Sequence, residues 1–107
     1  MSVVPAFAVR VHGPEACRPV VHVRGEIDLD TAAEMADALA IVVARRPPEL
    51  VLDLTEVSFM DCSGVGIIVR TRSHLPDGAR LVLRGLQPLV RRVLGILHVD
   101  ALCTVED

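Results

Sequence analysis

The sequence predicts an α/β fold: a mixed, mostly parallel β-sheet with an N-terminal antiparallel hairpin and helices packed against it. Two observations carry this. Short apolar runs of strand length alternate along the chain with stretches of helical periodicity. The chain is also the length of one domain, 107 residues, and 51% of it is apolar, enough for one buried core. Residues 1–107 therefore read as a single domain.

Phe7 to His12 (FAVRVH) alternates apolar and polar, as a half-buried strand does. Gly13-Pro14 marks a turn. Val20 to Val23 (VVHV) is a second strand, antiparallel to the first and closed by Gly25. Thr31-Ala32-Ala33-Glu34 has the pattern of a capping box, with Thr31 as N-cap and Glu34 reaching back. Met35, Leu39 and Val42 then share one helix face. Pro47-Pro48 ends that helix, because a residue before proline leaves the α region. Leu50 to Leu54 (LVLDL) is evenly apolar and is expected at the sheet centre. Ser63 to His74 forms a second helix. Arg80 to Leu83 is a strand after the Pro76-Asp77-Gly78 turn. Leu89 to Leu97 is a third helix, with Leu89, Val93 and Leu97 on one face, and Leu102 to Val105 is a last short strand.

Composition excludes several function classes. The chain has two Phe and no Tyr or Trp, and all 11 of its basic residues are Arg. Single-strand nucleic-acid binders use aromatic stacking platforms, which this chain lacks. Duplex binders carry a basic surplus, whereas the formal net charge is −3. Nucleic acid is therefore not an expected partner. The longest uncharged run, Met1 to Val9, falls far short of the roughly 20 apolar residues of a membrane span, and no basic start marks a signal peptide. Cys17, Cys62 and Cys103 are odd in number and far apart, so neither a disulfide framework nor a zinc site is expected. The histidines show no ligand spacing. A cytoplasmic protein without metal or cofactor is the expectation.

The segment richest in chemistry is Phe59-Met60-Asp61-Cys62-Ser63-Gly64-Val65-Gly66, between a buried strand and a helix. The carboxyl end of a parallel strand favours ligand and switch sites, and a helix N-terminus favours an anion. Ser63 there is either an N-cap or a phosphate acceptor, and Asp61 a cap, a turn residue or part of the site. A nucleophile elbow does not fit, since Asp61 stands where glycine is needed. A phosphate-binding P-loop needs a lysine, which is absent.

Three segments together resemble a known family. They are Gly25-Glu26-Ile27-Asp28 with Thr31-Ala32 and Glu34; Val51-Leu52-Asp53-Leu54 running through Val57 to Gly66; and Leu83 to Leu94, with Gly85-Leu86, Pro88 and Val90-Arg91-Arg92-Val93-Leu94. Over essentially its full length the chain resembles a STAS domain, specifically the bacterial anti-sigma factor antagonists. The resemblance implies partner switching. The unphosphorylated protein binds an anti-sigma factor that is also a serine kinase and so releases a sigma factor for transcription. Phosphorylation falls on Ser63, and a serine phosphatase resets the protein. Asp28 and Asp61 stand beside the acceptor. Cys62, Gly64, Val65 and Gly66 complete the switch loop, and the second helix forms part of the docking face. The expected assembly is a monomer or weak dimer.

A phosphate adds about −1.5 to −2 charges, and a helix N-terminus returns roughly 0.3–1 kcal/mol of favourable interaction. The expected switch therefore acts at the interface, with little change inside the domain. Cys62 departs from the family's Ser or Thr at that position. It reads either as a small replacement or as a redox-sensitive thiol. A different class of function stays open: a STAS-like ligand-binding or transporter-accessory subunit whose loop cradles a small anion or lipid without serine phosphorylation.

Overall fold

The computed structural model describes residues 6–107; the first five, part of the Met1 to Val9 run, lie outside that range. The elements are β1 (Ala8–His12), β2 (Val20–Ile27), α1 (Ala32–Val43), β3 (Glu49–Met60), α2 (Cys62–His74), β4 (Arg80–Arg84), α3 (Pro88–Ile96), a 3-10 turn (Val99–Leu102) and β5 (Thr104–Glu106). The sheet order is β1-β2-β3-β4-β5. Only β1 and β2 pair antiparallel; the other neighbours are parallel. The expected order, hairpin and central strand are all present.

One hydrophobic core holds the helices against one face of the sheet. Val9 and Val11, Val21 and Val23, Leu50, Leu52 and Leu54, Leu81 and Leu83 enter it from the strands, always with the same parity. Met35, Leu39 and Val42 come from α1, Ile68 from α2, and Val90 and Leu94 from α3.

Three local expectations need correction. Gly25 does not close β2 but lies within it, at one of two register shifts against β3. Opposite His22 to Ile27, β3 carries extra residues, so its core-facing residues change from every second position, Leu50, Leu52 and Leu54, to every third, Leu54, Val57 and Met60. Such bulges bend a strand and re-aim its side chains, and these carry β3 on to Met60. The Thr31 capping box does not form, because the Thr31 hydroxyl turns back to donate to the Glu26 carbonyl at 2.8 Å and accept from the Asp28 N–H at 2.9 Å. Asp28 instead closes the turn ahead of α1: its Oδ1 accepts from the N–H groups of Asp30 and Thr31 and its carbonyl from that of Ala32, while the Glu34 N–H donates to the Thr31 carbonyl at 3.2 Å. Finally, α3 buries Val90 and Leu94, one residue out of phase with the expected stripe, leaving Leu89 and Leu97 about half exposed.

The other face of the sheet carries no helix among the described residues. Across β3, β4 and β5 it is closed by a chain of ion pairs, Arg80–Glu49–Arg18–Glu106–Arg84, with contacts of 2.7 to 3.1 Å. Between them in register lie Val51 and Val82, both fully buried. The Arg18 hydrogen bond holds the Glu49 carboxyl below its ordinary value of 4.5, and the Arg84 hydrogen bond does the same for Glu106. A carboxyl depressed by folding stabilises the fold above its unfolded value, and that contribution is lost as pH falls through the folded value. Acidification below the ordinary value of 4.5 is therefore expected to loosen β5 first, by a small amount because the groups are exposed. Val105 amide shifts followed against pH check this. In Arg18→Ala the acid-dependent change should shrink; an unchanged acid profile would show that the chain of pairs contributes nothing.

Candidate functional site

The candidate site lies where β2 and β3 end side by side. Ile27 and Met60 are register partners, so Asp28 and Asp61 leave the sheet at adjacent points. The Asp61 N–H donates to the Ile27 carbonyl at 3.1 Å, tying the two exits together. This is the carboxyl end of parallel strands, the position that motif and fold both favour for a site.

Asp61 is the N-cap of α2. Its Oδ1 accepts from the Ser63 N–H at 2.8 Å, and its carbonyl accepts from the Val65 N–H. Both Asp and Ser are good N-caps, and here the carboxylate takes the task. Ser63 is thereby left inside the first turn, half-exposed, with no side-chain hydrogen bond among the described residues. Its hydroxyl stands at the positive end of a helix of 13 residues with no acidic residue in its first turn. Cys62, one residue earlier, is exposed and unpaired with any other cysteine.

The remaining loop residues divide by burial. Gly64 and Val65 are buried and Gly66 is exposed. A Cβ on Gly64 would sit 2.7 Å from Ile27 Cγ2 and 2.8 Å from Met60 Cγ. The absence of a side chain is what lets α2 start so close to the ends of β2 and β3. A Cβ on Gly66 would meet nothing within 4 Å. Gly66 follows Cys62 by one turn, and Val69, 38% exposed, lies on the same outer face.

Leu29 escaped the sequence reading. It is 80% exposed and sits between Asp28 and Asp30 in the hydrogen-bonded turn beside the loop; a leucine between two aspartates is the signal that marks it. Arg70 lines an open groove of about 370 Å³ between α1 and α2, with Ala36, Ala40, Ile67, Thr71 and His74. Arg72 is used within the fold, its Nε donating to the Leu102 carbonyl at 3.0 Å. Cys103 is partly buried, and burial pushes its thiol up to about 11. Among the described residues no cluster of His, Cys, Asp or Glu could hold a metal, and no helix is long and apolar enough to cross a membrane.

Fold and loop together define a small α/β module whose most developed feature is an exposed, capped loop carrying a free hydroxyl. The chain belongs to the STAS domain family, whose profile matches residues 8–107. It is 32% identical over 81 residues to the anti-sigma-F factor antagonist RsfB of Mycobacterium tuberculosis; the match covers 76% of this chain and 66% of that protein, just under two-thirds of its length. The crystal structure of an anti-sigma factor antagonist from Mycobacterium paratuberculosis superposes with a TM-score of 0.81 at 31% identity, covering 94% of this chain and 84% of that one. SpoIIAA of Bacillus shares the fold, in its unphosphorylated form with a TM-score of 0.75 at 22% identity (94% and 87% of the two chains) and in its phosphorylated form with 0.68 at 20% (94% and 90%). The chain thus belongs, by sequence and fold, with the anti-sigma factor antagonists.

Proposed function

We propose that this chain binds an anti-sigma factor through the β3–α2 loop and the outer face of α2, and that phosphorylation of Ser63 by that partner, a serine kinase, ends the complex. A serine phosphatase restores binding, and the freed sigma factor is the output. On this reading the chain is a kinase substrate and not an enzyme. The observation that carries it is the division of labour at the start of α2. Asp61 caps the helix, so the Ser63 hydroxyl has no structural task that modification would disturb.

The physics of release follows from the surroundings. A phosphate brings about −1.5 to −2 charges to a loop already flanked by Asp28 and Asp61. The helix N-terminus softens that within the domain, which favours an unchanged fold. A partner surface shaped to a neutral hydroxyl then meets a bulky dianion, which it must desolvate, and like charges that repel. The relatives' names agree with this role: RsfB is an anti-sigma-F factor antagonist, and SpoIIAA has been solved with and without its phosphate.

The test is a pull-down with Ser63→Ala and Ser63→Asp baits, followed by affinity measurement. The alanine variant should hold an anti-sigma factor, and the aspartate variant should bind at least about tenfold more weakly, a difference of about 1.4 kcal/mol, with matching circular dichroism. Full binding by protein phosphorylated at Ser63 would overturn the proposal. Intact-mass analysis of protein from its native cell gives a second readout, since a bound small molecule in place of a phosphate favours the ligand-binding alternative.

A further inference from the structure

The helix-free face of the sheet has two unlike halves. Over β3, β4 and β5 every arginine is ion-paired: Arg18 to Glu49 and Glu106, Arg80 to Glu49, Arg84 to Glu106. Over β1 and β2 the arginines are not. Arg10 and Arg24 make no ion pair with any described residue, although Arg24 stands opposite Glu56 in the strand register. Both line one recess of about 240 Å³ with Ala8, His22 and Glu56. The register explains the convergence. Arg10 pairs with His22 and Ala8 with Arg24, so all four side chains share this face, and the small Ala8 leaves the space between the cations open. Glu56 is engaged by His22, whose Nε2 lies 3.4 Å from its Oε2.

A second recess of about 270 Å³ adjoins it, sharing Arg24 and Glu56 and lined beyond them by Thr55, Ser58 and Gln87. The β3 bulges turn Thr55 and Ser58 towards this side. Ser58 keeps a hydroxyl without a partner among the described residues, and Gln87 is anchored by donating from Nε2 to the Thr55 carbonyl at 3.0 Å. Two free guanidinium groups beside a row of polar side chains match a planar-fork recognition of phosphate oxygens.

We propose that this face is a binding site for a phosphate monoester: Arg10 and Arg24 hold the phosphoryl group, and the hydroxyl-bearing remainder lies along Thr55, Ser58 and Gln87. The site is on the sheet face opposite the core and does not depend on the switch at Ser63.

Titration of the full chain with inorganic phosphate and with ribose 5-phosphate, at constant ionic strength and followed by NMR, tests it. Saturable shifts are expected at Ala8, Arg10, His22 and Arg24, with dissociation constants of about 1–10 mM for phosphate and at least threefold lower for ribose 5-phosphate. The double variant Arg10→Gln/Arg24→Gln should lose at least tenfold for both while keeping its melting temperature, since neither side chain is paired in the fold. Absence of saturation, equal shifts at the exposed Arg92, or undiminished binding by the double variant would overturn the site. Equal affinity for the two probes would overturn the role given to Thr55, Ser58 and Gln87.

Discussion

Gly85→Ala is expected to cost the protein about 3–4 kcal/mol, the larger part of what a marginal domain has. Two independent terms add. Gly85 has φ +70°, in the left-handed region that costs an L side chain roughly 1–2 kcal/mol. Its added Cβ would also overlap Thr55 Oγ1 and lie 3.0 Å from Thr55 Cβ and 3.1 Å from Thr55 Cα. The last of these is backbone at a β3 bulge, so it cannot swing aside, and such overpacking costs about 1–3 kcal/mol. Thermal unfolding should show a fall of at least about 12 °C in Tm. Gly78→Ala separates the terms: Gly78 has φ +83° but nothing within 4 Å of a Cβ, so only the roughly 1–2 kcal/mol conformational term applies. Equal losses at the two positions would show that the Thr55 contact is not what matters at Gly85.

Gly85 also marks where sequence reading stops. It was legible as part of a family pattern, but its clash partner, Thr55, is remote in sequence and stands where it does because β3 bulges. The same bulges hid the second half of β3. Leu50 to Leu54 announces itself by even apolarity, whereas Thr55 to Met60 buries every third residue and matches neither the period of a strand nor that of a helix. In α3 the stripes Leu89–Val93–Leu97 and Val90–Leu94 both have helical spacing, and periodicity cannot choose the phase; packing on β3 and on the 3-10 turn chose the second. At the site, Asp61 and Ser63 were both legible as N-cap residues. Which one caps depends on the helix beginning at Cys62, a matter of backbone geometry. Thr31 failed as a side-chain cap because its hydroxyl is already spent on the Glu26 carbonyl and the Asp28 N–H, contacts made by the preceding turn that the local pattern does not show.

The two glycines that follow Ser63 should respond to alanine with opposite signs. In Gly64→Ala the new methyl enters the fully buried contact with Ile27 and Met60 at 2.7 and 2.8 Å. Overpacking of about 1–3 kcal/mol outweighs the roughly 1 kcal/mol that alanine returns in a helix interior. Relief requires the first turn of α2 to move away from the strand ends, and Asp61 and Ser63 move with it. Stability and partner binding should therefore fall together. Gly66→Ala meets no atom within 4 Å, so it should raise stability by about 0.5–1 kcal/mol. On the proposed docking mode, the bare surface at Gly66 is room for what approaches from outside. If the outer face of α2 docks on the anti-sigma factor, the added methyl occupies space the partner needs, and binding should weaken although the fold is firmer. A stability gain with undiminished affinity would remove Gly66 from the interface and move the docking surface off this face of α2. The contrast separates the fold's requirement from the partner's on one turn of helix, because no change in overall stability produces both results.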